Sequence, residues 1–540
     1  MKLPLPDPMR RIFLILSLAL PLAVVAQTPQ APPSPQVPST PQTPPAPSNP
    51  STSQAAPAPT ATPTPQVPAV VTKPQEQLTV IRVNVTNQPW DFFRPWGKRA
   101  PYSRRAVGAV LPNNRVLVTA EFVANASYLE FETPDGSQKT PAAIEAVDYE
   151  SNLALLKSDD PKFLASFRPL DLSIASVGDT LGVLQLETNG ALLTTRGTMT
   201  NAEVSRYPVD ETHLLVYHLA AALQFREAAF TVPVVKGDKL VGLVMRYDSQ
   251  QASSDIVPTP VIEHFLRDAA HLPYKGVPKA GVGFAGTRDP QLRRYAGLSE
   301  QTPGGVYVTE LQKDGPSEKA GLATGDVVLR IDDQPVDQDG NYNDPVYGRI
   351  SLSNLLSTRH YDGDDVKFTV FRKGETKDFM VKLVHRPVEQ YTIEPYVIDR
   401  APKFYILGGL ILEELSRQYL KEWGPEWAKK APEDLVYIDR QQSELYPDGN
   451  RKVVFLSRVL PSDATVGYED LHHLVITKIN GVEINSLADV AGALEKATDG
   501  IHKIDFASEP YAIYLDSKQT ATTDEILTKV YRLPSLKRLN

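Results

Sequence analysis

From Leu78 onward the chain is a succession of short β-type runs broken by turn residues: LTVIRVNV, AVGAVLP, RVLVTAEFVA, SYLEFE, NLALLKS, TLGVLQLE, LLTTRGTMT, LLVYHLA and KLVGLVMRY. Strands so short and so numerous predict an all-β sandwich or a pair of barrels, because short antiparallel strands hide their apolar face only by stacking or closing. The first helical pattern comes at residues 260–268 and is expected to end this domain near residue 272. A chain of 540 residues with a 41% apolar fraction suggests three or four domains with real cores.

Upstream the texture differs. Arg10 and Arg11 precede a largely apolar run, residues 12–26, interrupted by Pro21 and followed by Gln27. That run is shorter than the ~20 residues a bilayer-spanning helix needs. Residues 1–26 are therefore read as a secretory signal cleaved after Ala26, which places the remainder in the periplasm or cell envelope. Residues 27–75 hold sixteen prolines between Thr28 and Pro74 and no charge before Lys73. Such a segment cannot bury enough surface to offset its ordering entropy, so it is expected to be a disordered, extended linker.

Composition excludes several chemistries. The absence of cysteine removes disulfides, thiolate metal sites and a Cys nucleophile. With 56 Lys and Arg against 64 Asp and Glu, the net charge of −8 argues against nucleic acid as a partner. Neither GxSxG nor HExxH occurs, and His213, His218 and His264 stand in no recognisable catalytic phrase. The acidic turn at 337–344 brushes the calcium-loop pattern, but Tyr342 stands where that loop requires glycine. No cofactor and no metal are expected.

The second unit, residues 276–388, contains AGLATGDVVLRIDDQPV at 320–336. Its glycines permit a tight turn between a short helix and a strand, in which Val327, Leu329 and Ile331 alternate. The pattern resembles the signature of a PDZ domain. A third unit, residues 396–540, repeats it weakly in LVITKINGVEI at 474–484 followed by a helical stretch at 487–497, without the AGLxxGD half and with insertions between Phe404 and Leu460. It resembles an atypical PDZ domain with a C-terminal extension.

An export signal, a β-rich domain at 76–272 and two PDZ-like units in that order resemble the HtrA (Deg-type) serine proteases, closest to the plant-organelle Deg branch. PWDFFRPW at 89–96 looks like the aromatic segment that helps form trimers in that family, NLALLK at 152–157 like its DLALLK, and IVPTPVI at 256–262 like the end of its protease domain. The fold implied is mainly β: a trypsin-like double β-barrel followed by two α+β PDZ-type domains.

The resemblance places a Ser-His-Asp triad at three positions, and none is filled. The histidine position falls on Glu121 or Phe122, depending on which end of VTAEFVANA is aligned, and the orienting carboxylate is replaced by Asn152. The nucleophile position in AAFTVP falls on Phe230, and the glycines that shape an oxyanion hole are absent. An amide has no charge to stabilise an imidazolium, and a benzyl group has no lone pair to attack with. Thr231 adjoins the lost position, but an internal threonine has no activating amine. By family the chain would be an endopeptidase; by its residues it is expected not to cleave peptides.

Recognition survives. A PDZ groove adds an extended peptide as a strand and receives its terminal carboxylate on backbone N–H groups. The loop expected to do so is Gly281, Val282, Gly283, Phe284 and Ala285, with a helix at 351–358 as the opposite wall. LGGLI at 407–411 is the corresponding loop of the second unit, where the resemblance to the Deg branch implies a groove filled by a neighbouring subunit or by the chain itself. Trp90, Phe92, Phe93 and Trp96 are expected at an oligomer contact. The sequence therefore predicts an exported, inactive HtrA/Deg-like protein that binds protein C-termini or unfolded polypeptides, forms a trimer-based homo-oligomer and partners an active Deg protease. The competing expectation is an active envelope serine endopeptidase with a relocated site.

Overall fold

The structure, a computed structural model, describes residues 78–540 other than 161, 211, 225–230, 300, 448 and 450. The signal at 1–26, the proline-rich stretch at 27–75 and Phe230 lie outside the described residues.

The β-type runs close into two barrels. In the first, β1 (Val80–Asn87), β2 (Tyr102–Leu111), β3 (Arg115–Val118), β4 (Ala126–Glu132), β5 (Lys139–Asp148) and β6 (Leu153–Ser158) join in the order β1-β2-β3-β6-β5-β4. The second is built from β7 (Thr180–Leu186), β8 (Leu192–Arg206), β9 (His213–Ala220), β10 (Val232–Lys236), β11 (Lys239–Asp248) and β12 (Ser253–Pro258), closed in the order β10-β11-β12-β9-β8-β7. The unbroken apolar run of β6 has a direct cause. Ala154 and Leu156 fill the first barrel, whereas Leu153 and Leu155 point the other way into the core shared with the second. Both faces of this strand are buried, so the alternation that marks a half-exposed strand is missing.

Helix Thr259–Ala269 follows, one residue longer at each end than the sequence pattern. It leads to the first PDZ sheet: β13 (Val282–Gly286), β14 (Val306–Leu311), β15 (Val327–Ile331), β16 (Gln334–Pro335), β19 (Asp365–Arg372) and β20 (Glu375–Lys382), ordered β13-β14-β15-β19-β20 with β16 on β15; β17 (Asn341–Asp344) and β18 (Gly348–Ser351) form a separate hairpin. Its core is continuous with that of the second barrel, since Val306, Val328 and Phe368 belong to the same buried cluster as Leu243 and Ile256. Tyr217 and Tyr347 also join hydroxyls across the junction at 2.6 Å. The helix expected at 351–358 spans only Ser353–Leu356. Ser357 turns its hydroxyl back onto the Ser353 carbonyl at 2.7 Å, the local competition that makes serine a poor helix continuer.

The second PDZ sheet comprises β21 (Phe404–Leu407), β22 (Leu410–Glu414), β23 (Val454–Val459), β24 (Leu474–Ile479), β25 (Val482–Glu483), β26 (Ile501–Phe506), β27 (Ala512–Asp516) and β28 (Lys537–Arg538), ordered β27-β26-β24-β23-β22-β21-β28. Superposing the two strand orders makes β22 the counterpart of β13, and shows that the second sheet continues past it by two strands. The insertion between β22 and β23 forms four short helices, Arg417–Leu420, Trp427–Lys430, Glu433–Arg440 and Gln442–Leu445. The helix expected at 487–497 spans Ala488–Leu494, and the C-terminal extension holds a longer one, Ser517–Val530.

Candidate functional site

The phrase that would hold a catalytic histidine folds as a strand running into one helical turn, Ala120–Val123, which begins after Thr119. Phe122 is buried in the core of the first barrel. Glu121 remains exposed, so of the two alignments it is Glu121 that faces outward. Its backbone N–H donates to Oδ1 of Asn152 at 2.9 Å, and the N–H of Ala120 donates to the Asn152 carbonyl at 3.0 Å. Asn152 is fully buried with φ of 53°, a left-handed conformation that asparagine tolerates better than most residues. Its Nδ2 has no partner among the described residues. The crowding around the Glu121 carboxyl raises its pKa, an effect only partly offset by Arg104, Arg246 and Lys421.

Next to Phe230, Thr231 is fully buried. Its hydroxyl accepts from the N–H of Thr119 at 3.2 Å and is hydrogen-bonded to the Thr119 hydroxyl. Two threonines that satisfy one another leave neither oxygen with an adjacent base. The three histidines are placed elsewhere. His218 lies between Asp255, 2.9 Å away, and Glu203, 3.1 Å away. His264 bonds the His360 carbonyl at 2.8 Å and stacks on Tyr361, while His213 is exposed. Among the described residues, no imidazole is hydrogen-bonded to a Ser or Thr hydroxyl. In the acidic turn, Asp337 meets Arg349 at 2.6 Å, and Asp339 meets both Arg349 and Arg288.

The residues beside Glu121, though not Glu121 itself, are covered by another part of the chain. Ala120, Tyr149 and Val209 form a small apolar cluster with Tyr396 and Ile398, from the segment that enters the second PDZ unit. Asn125 and Asp399 clasp each other: the Asn125 N–H donates to Oδ1 of Asp399 at 2.7 Å, and the Asp399 N–H donates to Oδ1 of Asn125 at 3.1 Å. The hydroxyl of Tyr149 donates to the same carboxylate.

At the first PDZ unit, β13 is an edge strand whose only ladder among the described residues is with β14. Gly281, Val282, Gly283, Phe284 and Ala285 are all half-buried, and a bulge falls between Gly283 and Phe284. Gly281 has φ of 67°, and a Cβ there would stand 3.1 Å from Pro316, so this turn favours glycine. Gly281, Val282 and Gly283 open into a cleft of about 1320 Å³; Phe284 and Ala285 continue the strand beyond it. Asp326 of the AGLxxGD phrase caps the adjoining turn through the Ala323 N–H at 2.9 Å and receives both donors of Arg372 at 2.5 and 2.6 Å.

In the second unit the chain itself fills the edge, one of the two alternatives expected there. LGGLI is a two-residue hairpin turn between β21 and β22, pairing Leu407 with Leu410. The edge that in β13 stands free is therefore occupied in β22 by the chain's own preceding strand. Even the Gly408 N–H is engaged, donating at 2.7 Å to the carboxylate of Asp524. The physical reason is the glycine pair: φ values of 58° and 107° suit the tight turn that folds a strand back onto its neighbour.

Within one chain the aromatic segment packs on the second PDZ unit, with Phe92 buried and Trp90, Phe93 and Trp96 left partly exposed. Asp91 accepts from the N–H groups of Phe93 at 2.9 Å and Arg94 at 3.2 Å, turning the segment onto the second PDZ unit. There Phe92 is buried in a cluster with Leu415, Tyr419 and Phe455. Phe93 meets Trp423 edge-on at 5.2 Å, Trp96 packs on Phe404, and Arg538 lies 4.5 Å over Trp90. The helical insertion supplies much of the aromatic surface on which this segment rests.

Comparison with known proteins accords with this architecture. The PDZ domain family matches residues 278–383 and again residues 393–537. Protease Do-like 4, mitochondrial, of Arabidopsis thaliana is 24% identical over 463 residues, covering 85% of this chain and 84% of that protein. Protease Do-like 2, chloroplastic, of the same plant is 24% identical over 462 residues, covering 84% and 74%. Among solved structures, the HtrA-type protease AlgW with decapeptide aligns at a TM-score of 0.44 and 19% identity, covering 57% of this chain and 96% of that one. With two PDZ domains behind a double β-barrel, and Do-like relatives along most of its length, the chain resembles the HtrA/Deg family.

Proposed function

We propose that this is an exported HtrA/Deg-type protein that has lost peptide-bond cleavage and binds protein C-termini or unfolded segments on β13, as a scaffold, chaperone-like factor or regulatory subunit. The observation that carries the reading is the pair Glu121 and Asn152. The second holds the first through the backbone, as a carboxylate would hold a catalytic histidine, yet one brings no imidazole and the other no charge. In an intact enzyme of this class, loss of one such partner costs roughly 10⁴-fold or more in turnover, and loss of the nucleophile about 10⁶-fold. The mutual bond of Thr119 and Thr231 further supports it, because it occupies the nearest buried hydroxyls.

The relatives' names as proteases favour a second reading, an active endopeptidase. The test is full-length protein incubated with casein and a fluorogenic peptide, with and without a fluorophosphonate. The expected outcome is no inhibitor-sensitive turnover. Hydrolysis that the reagent abolishes, and that one serine substitution also removes, would overturn the proposal.

Peptide capture is tested on the intact chain, because excising residues 276–388 would open the core that the first PDZ domain shares with the second barrel. Gly281→Val forces the loop out of its positive φ and is expected to weaken binding of a C-terminal peptide library about tenfold or more. Unchanged affinity would count against β13 as the site. Export rests on the signal pattern of residues 1–26 and is checked by cell fractionation. Assembly into trimers, or with an active Deg protease, would draw on the faces of Trp90, Phe93 and Trp96 that one chain leaves partly exposed, whereas Phe92 is buried within it.

A further inference from the structure

The cleft beside β13 lies where three parts of the chain meet: the second barrel near Thr212, the start of β13, and the helical insertion of the second PDZ domain with the turn after it. Its lining has more Lys and Arg than Asp and Glu. Several of these cations have partners. Lys279 pairs with Glu150 at 2.9 Å, Arg417 with Asp439 at 3.1 Å, and Lys452 with Glu394 at 3.2 Å.

Arg386 and Arg451 are different. Arg386 donates to the Gln390 carbonyl at 2.8 Å and lies 4.1 Å over the ring of Tyr391. Arg451 reaches the Ile484 carbonyl at 3.4 Å and lies 4.9 Å over Tyr446, with its Nε buried and without a partner. Among the described residues neither guanidinium meets a carboxylate. The two flank one turn, since a Cβ on Gly449 would stand 3.8 Å from Nη2 of Arg386. Burial holds Arg386 below the usual arginine range, with only Tyr391 acting against it.

A guanidinium whose flat face rests on an aromatic ring keeps its edge donors for a planar anion, and it binds carboxylates through paired, charge-assisted hydrogen bonds. Two such groups, half-buried in one cleft without acidic partners, are unfavourable until an anion arrives. The same cleft receives Gly281, Val282 and Gly283. A peptide added to β13 with its terminal carboxylate at that glycine loop places its last side chains in the cleft. We propose that Arg386 and Arg451 form an acid-selective subsite, so that the protein prefers polypeptides whose final residues include Asp or Glu. This rests on the peptide-binding reading above and adds the chemical class of the ligand. The polypeptide is favoured over a small free anion because the strand edge and the arginines share one continuous space.

The test is fluorescence anisotropy on the full chain with two labelled decapeptides, identical except that one has two glutamates and the other two glutamines just before the final residue. The glutamate peptide is expected to bind about tenfold tighter at low salt, an advantage that shrinks as salt rises. Arg386→Gln and Arg451→Gln each reduce that advantage to about twofold or less and leave the glutamine peptide unaffected. Arg386→Lys and Arg451→Lys, which keep the charge, retain part of it and control for misfolding. Equal affinity of the two peptides for the wild-type protein would overturn the subsite and leave peptide capture standing. Failure of both peptides and of a C-terminal library to bind would overturn the peptide reading itself. Binding of inorganic phosphate with no preference between the peptides would refute the polypeptide assignment.

Discussion

Glu413, on β22, is 2% exposed, and its Oε1 has no partner among the described residues. Burial pushes its carboxyl up to about 8; Ser457 and Arg458 act against the shift, while Asp91 and Glu422 add to it. In the unfolded chain the same group titrates near 4.5. Between those values the folded protein holds a proton that the unfolded chain has released, so stability is full below the lower value and declines as pH rises towards the upper one. The slope is about 1.4 kcal/mol per pH unit. Between pH 5 and 8 this amounts to roughly 4 kcal/mol. Glu413→Gln has no proton to lose and removes the slope. Urea unfolding of the wild-type protein and the variant, followed by tryptophan fluorescence, measures the difference, with Trp423 reporting on this domain through its contact with Phe93. The variant is expected to gain on the wild type by at least about 2 kcal/mol as pH goes from 5 to 8. A gap that stays constant within about 0.5 kcal/mol across that range would refute the assignment of a neutral, buried carboxyl at this strand.

Three further outcomes follow from contacts already described. Arg372→Ala leaves the Asp326 carboxylate buried and unpaired, and should lower stability by about 3 kcal/mol in thermal denaturation, with Arg372→Lys recovering only part; an unchanged melting temperature would contradict the role given to the GD phrase. Asp399→Asn weakens the clasp to Asn125 and Tyr149 by about 1–2 kcal/mol, read as faster amide exchange at residues 125 and 396–399; unaltered protection would mean that the cover over the residues beside Glu121 does not depend on it. His218 has a raised pKa, first through its hydrogen bond to Asp255 and also through Glu203, so the stability from this pair is present below the ordinary histidine range and fades as pH climbs through the raised value. An NMR titration should find His218 moved down in Asp255→Asn, and a titration midpoint the same in both proteins would rule out that cause.

Much of this molecule could be read residue by residue. Closely spaced strands specified barrels because each short run carries its own alternation, and AGLATGDVV specified a PDZ turn because its glycines and aspartate act within a few residues of one another. The proposed loss of the triad is also argued locally, from the residue types at Glu121, Asn152 and Phe230. Phe122 could be separated from Glu121 only by the direction each side chain takes from a single helical turn, buried in one case and exposed in the other.

What the sequence alone determined was the order of β-rich and PDZ units, and which residue types stand at positions 121, 152 and 230. These depend on residue type and short-range spacing. Only the tertiary structure decided where the Trp90 to Trp96 segment packs, that β21 occupies the edge a ligand would need in the second PDZ domain, and that Arg386 and Arg451 face one cleft with Gly281. Those features join residues separated by tens to hundreds of positions, and no local pattern encodes them. They emerge when apolar faces, strand edges and buried charges from distant segments find partners in the same folded chain.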